Sequence, residues 1–158
     1  MSPYDKVKHV MIPRRPICQA QQGWIDAVAD LAAAFSAAAA GEGDEDGSGV
    51  DSFFLQTAGD IIWTASGGTP CWSKLDVAAY LKGHREMSPQ QQGLAALTMM
   101  EFYSWLVEHG RLRYRDAIVV LQQLEHHAAE SLAALGYQLR FGRNRAERRA
   151  QRSARWQN

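Results

Sequence analysis

Four predicted helices constrain the fold of this chain more than any other feature. In residues 19–40 and 115–136, apolar side chains recur every three or four positions, which is the period of an amphipathic helix. The second segment ends at Gly136, a residue type that commonly terminates helices. Both segments are therefore predicted to be helices that bury one face.

Two further helices are indicated by their start and stop residues. Ser88 and Pro89 suit the first positions of a helix, and Gly110 suits its end. A shorter helix is expected over residues 70–83, with Thr69 as its N-cap. The helix that begins at Ser88 has apolar residues around most of its circumference, which is typical of a helix at the centre of a core.

Strands are predicted at three places. Residues 7–13 form a short apolar run, and residues 137–141 alternate apolar and polar side chains. Over residues 51–66, two apolar runs flank the sequence Thr-Ala-Gly-Asp, which predicts a β-hairpin. The expected fold class is therefore α+β and helix-rich: a small antiparallel sheet or hairpin packed by three to four helices, with a basic C-terminal helix.

The charge distribution divides the chain into two parts. Residues 1–137 hold ten basic and sixteen acidic side chains, whereas the remainder holds seven arginines and one glutamate. We expect a single globular domain over residues 1–142 with a flexible acidic loop at 41–50, followed by an arginine-rich helix or tail at 143–158. An acidic body with a basic arm is typical of proteins that contact nucleic acid or another acidic surface.

Candidate catalytic groups are few. Cys71 begins a predicted helix, where the dipole would favour a thiolate, and His126 lies four residues before Glu130 on one helix face. The sequence has no complete metal-ligand motif, and the glycines before Cys71 lack the lysine of a phosphate-binding loop. An enzyme that uses Cys71 or His126 is the third hypothesis. No catalytic residue, metal or cofactor is predicted.

The helix between residues 94 and 107 is a candidate interface as well as a candidate core element. Its apolar circumference would suit a protein partner or a homo-oligomer. An interaction module or inhibitor that acts through this helix and the acidic body is the alternative function. The predicted interface residues are Leu97, Met100, Tyr103 and Trp105.

The tail "RNRAERRAQRSARW" has a helical distribution of charge. Written as a helix, most of its arginines lie at spacings of three and four on one side, and alanines form the other side. An isolated helix of this length is marginal in water, so we expect it to order on an anionic partner. The predicted nucleic-acid contacts are Arg143, Arg145, Arg148, Arg149, Arg152, Arg155 and Trp156.

Residues 147–156, "ERRAQRSARW", resemble the arginine-rich RNA-binding peptide of lambdoid phage antitermination N proteins. In that family the peptide folds as a bent helix in the major groove of a small RNA hairpin, and its tryptophan stacks on the loop. The resemblance implies that Trp156 stacks on RNA, and that phosphates are contacted by Arg145, Arg148, Arg149 and Arg152.

This chain departs from the family in two respects. The family has a denser basic run before the glutamate, where this chain has Asn144, Arg145 and Ala146. The family peptide also opens its protein, whereas here it follows the acidic body. The body of the chain resembles no antiterminator.

The expected function is that of a small non-enzymatic regulatory or accessory protein of a phage, a plasmid or another mobile element. It would contact RNA or DNA through the tail, with RNA the more specific interpretation. The first sixteen residues lack the apolar run of a secretory signal, and the alanine-rich run is too short to span a bilayer. A cytoplasmic protein without a membrane contact is therefore expected.

Overall fold

A computed structural model describes residues 18–40 and 48–138, and this part of the chain consists of helices around one hydrophobic core. The helices are numbered here in chain order. A short 3-10 helix, Trp72–Lys74, lies between the second and third of them. The α-helices are α1 (Gln19–Ala40), α2 (Ser48–Ser66), α3 (Val77–Gly83), α4 (Pro89–Glu108), α5 (Tyr114–His127) and α6 (Ala129–Ala134).

The predicted α+β class is wrong for the described residues, which contain helices and no strand. The residues expected to form a β-hairpin form helix α2 instead. Its buried side chains are Phe54, Leu55, Ala58 and Ile62, a helical spacing that places one face against the core. The error came from treating Gly59 and the following aspartate as a turn. Gly59 lies inside the helix, and a Cβ there would come within 2.9 Å of Cγ2 of Val28 in α1.

The other predicted strands lie outside the described residues, wholly for 7–13 and in part for 137–141. Tyr137 and Gln138, the first two residues of the latter, are not in a strand. The predicted acidic loop at 41–50 ends earlier than expected, since helix α2 already begins at Ser48.

The predicted ends of helix α4 are confirmed by its capping contacts. The Ser88 hydroxyl accepts a hydrogen bond from the Gln91 backbone N–H, and the Gln91 side chain accepts one from the Ser88 backbone N–H, each at 3.2 Å. This reciprocal pair is a capping box. At the other end, Gly110 has a φ of +67°, and its N–H donates to the Val107 carbonyl at 3.1 Å.

Two predicted helix boundaries are wrong. Helix α3 begins at Val77 rather than near residue 70, because the carboxylate of Asp76 caps it by accepting from the Ala79 N–H at 3.0 Å. The helix predicted over residues 115–136 is interrupted at Ala128, where φ is −113°. The interruption separates α6 from α5, and α6 packs against α4.

Helix α4 is the centre of the fold and packs against α2, α3, α5 and α6. Two buried tyrosines bind it to its neighbours. The Tyr80 hydroxyl of α3 donates to the Ala95 carbonyl at 2.9 Å, and the Tyr103 hydroxyl of α4 donates to the Trp72 carbonyl. Both hydroxyls therefore satisfy their hydrogen-bonding capacity inside the core, as buried polar groups require.

Candidate functional site

The seven predicted nucleic-acid contacts, Arg143 to Trp156, all lie outside the described residues. The structure does describe the end of the body from which this segment continues. Helix α6 ends in a Schellman motif: Gly136 has a φ of +80°, its N–H donates to the Ala133 carbonyl at 2.9 Å, and the Tyr137 N–H donates to the Leu132 carbonyl at 3.1 Å. The expected helix-terminating role of Gly136 is thus confirmed.

Tyr137 also connects this end of the body to helix α5. Its hydroxyl donates to Oε1 of Glu125 at 2.9 Å, and Glu125 is only 3% exposed. A hydrogen bond to a buried carboxylate is stronger than one between neutral groups. Tyr137, six positions before Arg143, is therefore fixed on the helical body.

The four predicted interface residues occupy two different environments in α4. Met100 and Tyr103 are buried in the core of the described body, at 4% and 0% exposure. Leu97 and Trp105 are half-buried and pack at the edge of that core. The apolar circumference of the helix is therefore largely covered by the other helices of the same chain.

Cys71 has no catalytic surroundings among the described residues. Its thiol is half-buried, and its Sγ lies 3.1 Å from the hydroxyl of Ser73. A nucleophilic cysteine needs a base or a positive group beside it, and no histidine, lysine or arginine of the described chain hydrogen-bonds this thiol. Cys71 does not begin the predicted α-helix either: it is the N-cap residue of the 3-10 helix Trp72–Lys74.

His126 lies exposed in the last turn of α5, beside the exposed His127. The two imidazole rings are 4.7 Å apart, centroid to centroid. Within the described residues, no group of three or more histidine, cysteine, aspartate or glutamate side chains could hold a metal ion. A pair of exposed rings alone does not supply the three or four ligands that a zinc site requires.

A surface cavity of about 310 Å³ lies between α1 and α2. Among the described residues, Asp60 is the only ionisable group in its wall, and burial raises the pKa of the Asp60 carboxyl. Because the wall offers a single titratable group, it lacks the paired acid and base of a general acid–base site. The cavity is lined by Trp24, Ile25, Val28, Ala29, Gln56, Gly59 and Asp60.

His84, which follows α3, is a buried histidine whose burial the sequence does not predict. It is 2% exposed, and its Nε2 has no hydrogen-bond partner. Its ring lies 4.8 Å from that of Tyr80 and 5.3 Å from that of Phe54. Desolvation lowers the pKa of this imidazole, so the fold holds it neutral. No sequence pattern marks a single histidine of this kind.

The lowered pKa of His84 predicts that acid destabilises the fold. An exposed histidine in the unfolded chain binds a proton at a pKa near ~6.5, whereas folded His84 resists protonation. The contribution of His84 to the free energy of unfolding should therefore be constant above about pH 7 and fall as the pH drops below that value, by about 1.4 kcal/mol for each unit of lowered pKa. Denaturant unfolding at neutral and mildly acidic pH measures this difference.

Two variants make the assignment to His84 specific. H84Q should reduce the difference between the two pH values, whereas H126Q, which removes an exposed histidine, should leave it unchanged. An equal pH dependence in H84Q and the unmodified chain would contradict the assignment.

No helix in the described ranges is long and apolar enough to cross a membrane.

Comparison with protein families, with curated proteins and with solved structures gives no match to this chain.

Proposed function

We propose that this chain is a small, non-enzymatic regulatory or accessory protein that contacts nucleic acid, RNA in particular, through residues 143–156. One observation carries the proposal. Six arginines and a tryptophan lie within fourteen residues, and most of the arginines are spaced by three and four positions. Arginine contacts phosphates, and an aromatic ring beside arginines is suited to stack on an unpaired base.

The charge of the body supports the proposal that residues 143–156 supply most of the attraction to nucleic acid. The described residues hold six basic and eleven acidic side chains, and residues 41–47 add four acids and no base. A body with this charge repels a phosphate backbone overall. The basic segment would therefore supply most of the electrostatic affinity, and the acidic body would limit non-specific binding.

In this proposal the arginine side of the segment follows the phosphates of an RNA hairpin, and Trp156 stacks on a loop base. Neutralising the guanidinium groups removes the repulsion that opposes a helix of this composition. Folding and binding are then coupled, which favours a ligand whose phosphates match the spacing of the arginines.

The direct test compares the full chain with a chain that ends at Gly142, using RNA hairpins and duplex DNA as ligands. The full chain should bind, with RNA hairpins preferred, and the shortened chain should lose most of that affinity. Equal binding by the two chains, or no binding by either, would contradict the proposal. An unchanged thermal unfolding midpoint in the shortened chain would confirm that its body is intact.

Replacing Trp156 should separate RNA hairpin recognition from general binding of phosphates. We expect W156L to weaken binding to an RNA hairpin by at least about fivefold, the lower limit for loss of one base–aromatic stack. Binding to duplex DNA should change little, because its bases are not available for stacking. Fluorescence anisotropy with both ligands measures the difference, and W156F, which keeps an aromatic ring, is the matched control. Equal losses for the two ligands would exclude a stacking role.

A further inference from the structure

The turn between α4 and α5 carries an exposed basic and aromatic patch on the acidic body. Residues 111–115, "RLRYR", contain three of the six basic side chains in the described residues. Arg111, Arg113 and Arg115 are all exposed, and Tyr114 among them is 61% exposed, the most exposed large apolar side chain described. We call residues 111–115 the turn patch.

The fold fixes the backbone of the turn patch on both sides. The Arg111 N–H donates to the Leu106 carbonyl at 2.9 Å, and the Arg113 carbonyl accepts from the Asp116 and Ala117 N–H groups at 3.0 Å. Between the arginines, Leu112 is half-buried against the core. Because Leu112 points inward, its charged neighbours are held outward on a rigid turn.

The stability of the fold does not account for these arginines. The Arg113 and Arg115 side chains make no ion pair with any carboxylate of the described chain. Both stand at the start of α5, where the helix dipole disfavours positive charge, and Arg113 provides no side-chain cap. The Arg111 guanidinium lies over an aromatic ring of the described chain, with its Cζ 6.0 Å from the centre of the Trp105 ring. The fold therefore leaves these positive side chains available to a ligand of opposite charge.

We propose that the turn patch is a second nucleic-acid contact, in which the arginines neutralise backbone phosphates and Tyr114 stacks on an unpaired base. This inference rests on the proposed function, because it takes the ligand to be the same RNA. Basic side chains interleaved with an exposed aromatic ring form the usual surface for single-stranded nucleic acid. The tail would then bind the hairpin, while the turn patch binds an adjoining single strand.

The test uses the full chain and a labelled RNA hairpin with a single-stranded extension, with affinity measured over a range of salt concentrations. R113Q/R115Q should weaken binding and reduce the slope of log K against log salt by about 1.4, since each single-strand phosphate contributes about 0.7. K82Q/R85Q removes the same charge from exposed positions outside the turn patch, and its slope should equal that of the unmodified chain.

The stacking role of Tyr114 is tested with the same RNA. Y114L should weaken binding by at least about fivefold, and Y114F should bind like the unmodified chain. Removing the single-stranded extension should eliminate the effect of Y114L. Equal affinities of Y114L and Y114F would overturn the stacking role.

The outcomes separate this inference from the proposed function. If R113Q/R115Q and K82Q/R85Q have the same slope while loss of the tail arginines abolishes binding, the turn patch is overturned and the proposed function stands. If R113Q/R115Q alone loses binding, the turn patch stands and the tail does not carry the function. If R113Q/R115Q loses capture of a polyglutamate peptide but keeps full RNA affinity, the ligand is an acidic protein and the inference is overturned.

Discussion

Replacing Gly93 with alanine should lower the free energy of unfolding by about 2 kcal/mol, within the usual range for overpacking a core. Gly93 lies where α4 and α6 approach most closely. A Cβ added there would come within 2.5 Å of the Ser131 carbonyl oxygen and 2.9 Å of Cδ1 of Leu135. The first of these atoms belongs to the backbone, so α6 must move as a whole to relieve the contact.

Whether the substitution lowers or raises the free energy of unfolding distinguishes a packing requirement for glycine from the helix propensity of alanine. Alanine in place of glycine inside a helix normally stabilises it by about 0.5–1 kcal/mol. Gly23 is the matched control: it lies inside α1, it is exposed, and an added Cβ would have no neighbour within 4 Å. G23A should therefore stabilise the protein while G93A destabilises it, as measured by denaturant unfolding. A G93A protein as stable as G23A would contradict the described packing of α6 on α4.

Helices with distinct ends could be predicted from the sequence. Helix α1 and the capping residues Ser88 and Gly110 of α4 agree with expectation. Their caps are local, so three or four residues specify each of them. Helix α2 could not be predicted in this way, because its aromatic and β-branched residues favour a strand and Gly59 resembles a turn. Packing against α1 decided its structure, and Val28 against Gly59 is a contact between residues far apart in sequence.

The candidate sites also divide into features set by neighbouring residues and features set by contacts between residues far apart in sequence. The arginine spacing of the tail can be read from the sequence, because charge and period are properties of neighbouring residues. The turn patch could not be recognised, since nothing in "RLRYR" shows that Leu112 packs inward or that Arg113 and Arg115 make no ion pair with a carboxylate of the described residues. Burial of His84 depends likewise on Phe54 and Tyr80, which belong to different helices.

Replacing the six tail arginines with glutamine should produce the largest change in binding. Each arginine that neutralises a phosphate releases counterions from the nucleic acid, so each contributes at least about 0.7 to the slope of log K against log salt, which is the value for a single strand and is exceeded on a paired stem. The six arginines together should make the slope of the full chain steeper by about 4 than the slope of the six-glutamine variant. Between about 50 and 200 mM salt, the full chain should therefore lose several hundredfold more affinity than the six-glutamine variant loses.

A six-lysine variant is the matched control, because it keeps the charge and changes the side-chain geometry. Its slope should remain close to that of the unmodified chain, while its preference for an RNA hairpin over duplex DNA should fall, since lysine cannot make the two-pronged contact of a guanidinium group. A loss of slope in the lysine variant would indicate that the substitutions had disturbed something other than phosphate contacts.

The central claim is that residues 143–156 bind nucleic acid, and the salt dependence of RNA affinity tests it most directly. The proposed function predicts a slope steeper by about 4 in the full chain than in the six-glutamine variant, with the same unfolding free energy for both. Equal slopes for the two proteins would contradict it.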